Sequence, residues 1–145
     1  MTVLLDTNIL LRVASPTHAM HKEARDAVAN LQRQGEDLVL VPQVIYEYWV
    51  VATRPLASNG LELTATIASK AVDDFSSIFQ LLRDERGIYT IWKDLVVASV
   101  VMGKNAHDTR LVAAMLRHDI KSILTFNTAD FKRFIQIEAI HPSDV

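Results

Sequence analysis

Thr2-Val3-Leu4-Leu5-Asp6-Thr7-Asn8-Ile9-Leu10 stands at the start of the chain. Thr2 to Leu5 is short, apolar and β-branched, with no polar alternation, which predicts a strand buried on both faces. Asp6 follows where that strand ends, and residues 7–13 form a short helical segment stopped near Ser15-Pro16. A carboxylate at such a junction is either a helix N-cap or a ligand held at the carboxyl edge of a sheet. Thr7 and Asn8 can donate to its oxygens and fix its rotamer.

The remainder continues the alternation. His18 to Gln34 carries Ala24, Ala27, Val28 and Leu31 on one helical stripe, and Gly35 suits a left-handed cap. Asp37 to Val41 predicts a second buried strand. Pro42 fits the first position of a helix ending near Thr53, before Arg54-Pro55. Leu56 to Leu63 predicts a surface loop. Thr64 to Arg83 predicts a long helix with Ile67, Ala71, Phe75, Ile78 and Leu82 inward, ended by Gly87. Tyr89 to Trp92 reads as a short strand, and Asp94 to Met102 as a helix closed by Gly103. Asp108 to His118 reads as a helix opened by Asp108. Ser122 to Phe126 predicts a strand, Thr128 to Phe134 a turn or short helix, and Ile135 to Ile140 a last strand. Apolar strands alternating with helices predict an α/β fold whose parallel sheet is buried between helices. Ligands then bind beyond the carboxyl ends of the strands.

The 145 residues suit one domain spanning 1–145, with no repeat and no low-complexity segment. Half the residues are apolar and 22% charged, which excludes a disordered chain. Without cysteine, disulfides and thiolate metal sites are excluded. The longest uncharged apolar stretch, Leu95 to Met102, is too short to span a bilayer, and no signal-like segment precedes Asp6. The expectation is a soluble, cytoplasmic protein without membrane contact. A net charge of −2 argues against a globally basic surface. Four metal-bound acids would leave the remainder slightly positive.

Four acids carry the chemistry. Asp108 shares a helical stripe with Leu111, Val112 and Met115, where a carboxylate is costly unless capped, paired or bound to a cation. Glu47 lies in line with Val44 and Val51, at the margin of an apolar face. It is either a snorkelling surface residue or a ligand reaching across the sheet edge. Asp130 follows Thr125-Phe126-Asn127-Thr128-Ala129 past a strand end, as a loop acid or a further ligand. There Asn127 can hold a metal-bound water or orient a carboxylate. In a parallel sheet all four converge on one edge. Clustered carboxylates repel, and oxygen-seeking Mg²⁺ or Mn²⁺ makes such a cluster tolerable. Such ions could activate a water and stabilise the leaving oxygen of a phosphodiester.

Asp6-Thr7-Asn8-Ile9-Leu10, Glu47, His107-Asp108-Thr109-Arg110-Leu111-Val112-Ala113-Ala114 and Leu124-Thr125-Phe126-Asn127-Thr128-Ala129-Asp130-Phe131 resemble, in order and spacing, PIN-domain ribonucleases. The chain is most similar to the VapC-type toxins of bacterial toxin–antitoxin pairs. The resemblance implies a three-layer α/β/α fold, Mg²⁺ or Mn²⁺ dependence and endonucleolytic cleavage of RNA. It implies Asp6, Glu47, Asp108 and Asp130 as catalytic and metal-binding residues, supported by Thr7, Asn8, Thr125 and Asn127. The fourth acidic position falls on Asp130 or on Asn127. A homodimer and a cognate antitoxin are implied as well.

Arg110, beside Asp108, and Arg12 are the candidate RNA contacts, with Arg54, Lys104, Lys132 and Arg133 as further basic residues. His18 and His21 have the spacing of a zinc pair, but a surface helix start accounts for them. Tyr46, Trp49 and Trp92 can stack bases or serve core or dimer packing. A receiver domain would need paired acids after the first strand, and a dinucleotide-binding fold a Gly-rich turn there; neither is present. A non-catalytic protein- or RNA-binding module of the same fold remains the alternative.

Overall fold

The computed structural model describes residues 1–145. Strands β1 (Thr2–Leu5), β2 (Asp37–Leu40), β3 (Gln80–Leu81), β4 (Ser122–Leu124) and β5 (Glu138–Ile140) form one sheet in the order β3-β2-β1-β4-β5. Every pairing is parallel, with Leu4 opposite Val39 on one side and Ile123 on the other. Helices α1 (Thr7–Val13), α2 (His21–Arg33), α3 (Pro42–Thr53), α4 (Ala65–Ile78), α5 (Arg86–Ala98) and α6 (Asn105–Arg117) complete a three-layer α/β/α architecture. No helix is long and apolar enough to cross a membrane.

The central strand explains the layering. Val3, Leu4 and Leu5 have no exposed surface, so helices must cover both faces. Each such side chain contributes about 1.5–3 kcal/mol of burial. Helix α1 packs on α2 and α3, α3 on α4, and α5 on α6. From β1 the chain builds β2 and β3 to one side, then crosses to place β4 and β5 on the other. The carboxyl ends of β1 and β4 therefore meet at the topological switch point, where this architecture opens a crevice.

The first and third helices have the expected bounds, and Gly35 adopts the left-handed conformation, φ +81°. Elsewhere tertiary packing overrides local pattern. Helix α2 begins at His21, because His18 lies in the preceding turn and accepts the amide of Met20. Helix α4 ends at Ile78 and buries Ala68 and Phe75, leaving Ile67 and Ile78 exposed. The two residues of β3, hidden in a helical pattern, instead pair with Val39 and Leu40. Tyr89 to Trp92 is helical, not a strand. Their β-type side chains lie along α5, which buries Ile88 and Leu95 and packs on α6. Gly87 sits in the first turn of α5 and terminates nothing. A Cβ there would stand 2.8 Å from the Arg117 Nε atom, so the glycine permits a close crossing. Helix α6 starts at Asn105, which puts Asp108 inside the first turn rather than at its cap.

Candidate active site at the switch point

Asp6 directly follows β1 and caps α1 in extended conformation; its Oδ1 accepts the Thr7 backbone amide at 2.7 Å. Its Oδ2 accepts the hydroxyl of Thr125, from the loop after β4, at 2.7 Å and the Asn8 amide at 3.3 Å. Asn8 also donates to Thr125 Oγ1, at 3.1 Å, and accepts the Phe126 amide, while the Asn127 amide donates to Thr125 Oγ1. The ends of β1 and β4 are thus stitched by side chains as well as by the sheet. Asn8 and Thr125 both donate to Asp6 through their side chains. Thr7 donates to it only through its backbone, because its hydroxyl serves Glu47.

Glu47 projects from α3 into the same crevice. Its Oε2 accepts Thr7 Oγ1 and its Oε1 accepts Gln43 Nε2, both at 2.9 Å. Gln43 is buried and uses both ends of its amide: Nε2 also donates to the His107 carbonyl at 2.8 Å, and Oε1 accepts Arg110 at 3.1 Å. Arg110 reaches on to Asp84 at 3.2 Å. Gln43 was not anticipated. Its spacing of one helical turn before Glu47 is a signal, but its partners on α6 are not readable from a linear pattern. Arg110, expected to face RNA, instead has its guanidinium partly engaged by protein.

Asp108 is half-buried in the first turn of α6, and Asp130 is exposed in the 3₁₀ turn Thr128–Phe131. Neither carboxylate accepts a protein hydrogen bond. The Asn127 side chain is exposed and makes no hydrogen bond to Asp130; only its carbonyl accepts the Asp130 amide.

The electrostatics bind the four acids together. Burial pushes Asp6 up to about 6, against donation from Thr125 and Thr7, and the charges of Glu47 and Asp108 add to the rise. Asp108 is also pushed up to about 6, first by burial, then by Asp130 and Glu47, with His107 and Lys104 opposing. The acids share one electrostatic neighbourhood, yet no three acidic or histidine side chains close into a tight ligand set. Carboxylates that raise one another's proton affinity in this way suit a hard divalent cation keeping several waters.

Of the other residues singled out, Arg12 lies half-buried in the last turn of α1, and its carbonyl is 2.9 Å from His21 Nδ1. Arg54 is spent on the Asn59 carbonyl. Lys104, Lys132 and Arg133 are exposed. Tyr46 and Trp49 lie exposed on α3, outside the core. Trp92 is half-buried, donating its indole N–H to the Ala106 carbonyl at 2.8 Å.

No curated protein matches the sequence. Among solved structures, the fold is shared with VapBC2 from Rickettsia felis bound to promoter DNA (TM-score 0.73, 14% identity, 97% of this chain and 98% of that one). It is shared with a toxin–antitoxin complex from Klebsiella pneumoniae (TM-score 0.67, 19% identity, 99% of each chain). A third is VapC20 from Mycobacterium tuberculosis, a sarcin–ricin loop cleaving toxin (TM-score 0.59, 15% identity, 83% of this chain and 86% of that one). The model of the PIN domain matches residues 3–135, so the chain belongs to the PIN-domain family.

Proposed function

We propose that the protein is a metal-dependent endoribonuclease, the toxin of a type II toxin–antitoxin pair, with residues 1–145 acting as one nuclease unit. The observation that carries the chemistry is the Asp6 carboxylate, held by Thr125 and the Thr7 amide at the switch point beside Glu47, Asp108 and Asp130. Asp6, Glu47, Asp108 and Asp130 are the residues that would hold Mg²⁺ or Mn²⁺. When bound, the cation supplies a more acidic water and neutralises charge on the scissile phosphodiester. The protein's part is orientation. Thr125, Asn8 and the Thr7 amide aim Asp6, while Gln43 and the Thr7 hydroxyl aim Glu47. The toxin reading rests on family membership and on the identities of the structural neighbours. It extends to a cytoplasmic homodimer neutralised by an antitoxin.

The test is cleavage of RNA by purified protein. Wild type should cut in Mg²⁺ or Mn²⁺ and be silent in EDTA. Asp6→Asn should lose about 10³-fold or more in rate, the equivalent of several kcal/mol, while melting as a folded protein. Full activity in EDTA would sink the mechanism. Absence of both cleavage and a Mn²⁺-induced melting shift would leave a non-catalytic binding module.

A further inference from the structure

We propose that the cleft lined by α5 and Arg110 is a nucleobase subsite, where an unpaired base of the RNA next to the scissile phosphate stacks on Tyr89. The inference rests on the nuclease reading. The cleft holds about 510 Å³, within the range of small-ligand sites. Tyr89 and Trp92 line it one helical turn apart, ring centres 6.1 Å apart and tilted by 32°. Trp92 is pinned to the Ala106 carbonyl, whereas Tyr89 is 68% exposed and makes no hydrogen bond through its hydroxyl. One ring is therefore a fixed wall and the other an open face on which a base can stack.

Charge selects the occupant. Two guanidiniums line the cleft: Arg86, which has no acidic partner, and Arg110. The only acid lining it, Glu85, is paired with Arg117 at 2.6 Å. Aromatic faces beside cations fit a stacked base with its phosphate better than an apolar peptide. The cleft is wired to the acids. Arg110 donates to Gln43, which donates to Glu47, and Trp92 and Gln43 hold successive carbonyls, Ala106 and His107, just before Asp108.

The experiment is fluorescence anisotropy with a labelled single-stranded oligoribonucleotide of mixed sequence, and with a matched strand of abasic riboses. Cleavage-dead Asp108→Asn serves as the parent. Adding Tyr89→Ala should weaken binding of the base-bearing strand about tenfold, whereas Tyr89→Phe, which keeps the ring, should not. On the abasic strand Tyr89→Ala should cost nothing further. Arg86→Ala should lower the salt dependence by about one phosphate contact. Equal affinity of parent and Tyr89→Ala for the base-bearing strand overturns the subsite, as does no RNA binding by the parent. So does a Tyr89→Ala protein that binds RNA normally but escapes inhibition by a partner protein, which would assign the cleft to that partner. Cleavage by wild type with unchanged Tyr89→Ala affinity fails the subsite alone. The expected binding pattern without any cleavage by wild type fails the nuclease reading alone.

Discussion

Asp6 and Glu47 are held at both carboxylate oxygens by Thr7, Asn8, Thr125 and Gln43, whereas Asp108 and Asp130 accept no hydrogen bond from the protein. The first pair stands on one strand end and one helix, fixed before any ligand arrives. The second pair stands on a helix turn and a 3₁₀ turn, positioned by backbone alone. Preorganised donors lower the cost of placing a charge, while free carboxylates keep their repulsion until a cation offsets it. One half of the crevice is thus a rigid anchor, and the other is the part whose energy depends on what it binds.

The strongest way to break this contrast is to free the anchor. Thr125→Ala removes the hydroxyl bonded to Asp6 and leaves a buried oxygen short of a donor. It should cut RNA cleavage by about 10–100-fold, as loss of groups orienting metal ligands generally does. It should also cost about 1–2 kcal/mol in stability. Thr125→Ser should restore most of both. Rate assays and thermal melting of the three proteins decide it. Wild-type rates in Thr125→Ala would show that Asp6 needs no anchor.

A pH series tests the same contrast without mutation. Asp6 titrates at about 6 when folded and near 3.9 when unfolded. Between those values the folded state binds the extra proton, so metal-free stability is fully present below about pH 4 and declines as pH rises through about 6. The loss attributable to Asp6 is on the order of 2–3 kcal/mol. Asp108 acts in the same direction, reduced by its partial exposure to solvent. Melting in EDTA from pH 4 to 7 should fall for wild type and stay flatter for Asp6→Asn. Mn²⁺ should counter the fall, because it binds the deprotonated native site. A metal-free melting temperature that rises across this interval contradicts the shared-burial account.

The smallest effect belongs to the free half. Asp108→Asn removes a repelling charge at similar size. Since Asp108 is not the cap of α6, no cap is lost, but a favourable charge near the helix N-terminus is. The net gain in metal-free stability should be on the order of 0.5 kcal/mol. Mn²⁺ should then raise the melting temperature of wild type more than that of the variant. Equal Mn²⁺ shifts in the two proteins would remove Asp108 from the cation site.

What could be read from the chain follows the same division between local and distant causes. Thr2–Asp6 and Pro42–Thr53 were legible because an apolar strand, a capping acid and an N-terminal proline act within a few residues. The four acids could be named from the chain because strand ends in a parallel sheet share an edge, while the mutual charge effects among them depend on the fold. Gln43 was not, since its partners His107 and Arg110 lie across the fold. Nor was α5, whose Tyr89-Thr90-Ile91-Trp92 favours a strand in isolation and becomes helical against α6. The two-residue β3 is too short to leave a periodic trace.

The hydrogen bond between Thr125 and Asp6 joins residues 119 positions apart. Its consequence concerns the order of events during synthesis. On a growing chain β1 can pair with β2 early, but its other edge remains open until residues 122–124 emerge and dock. Parallel pairings of such long separation form late, because the loop must close before contacts reward it. Until then Asp6 lacks its Thr125 donor and the crevice lacks one wall. A ribosome-bound or truncated chain that stops short of β4 therefore carries Asp6, Glu47 and Asp108 without Thr125 or Asp130 beside them, and the last strands of the sheet are what complete the arrangement.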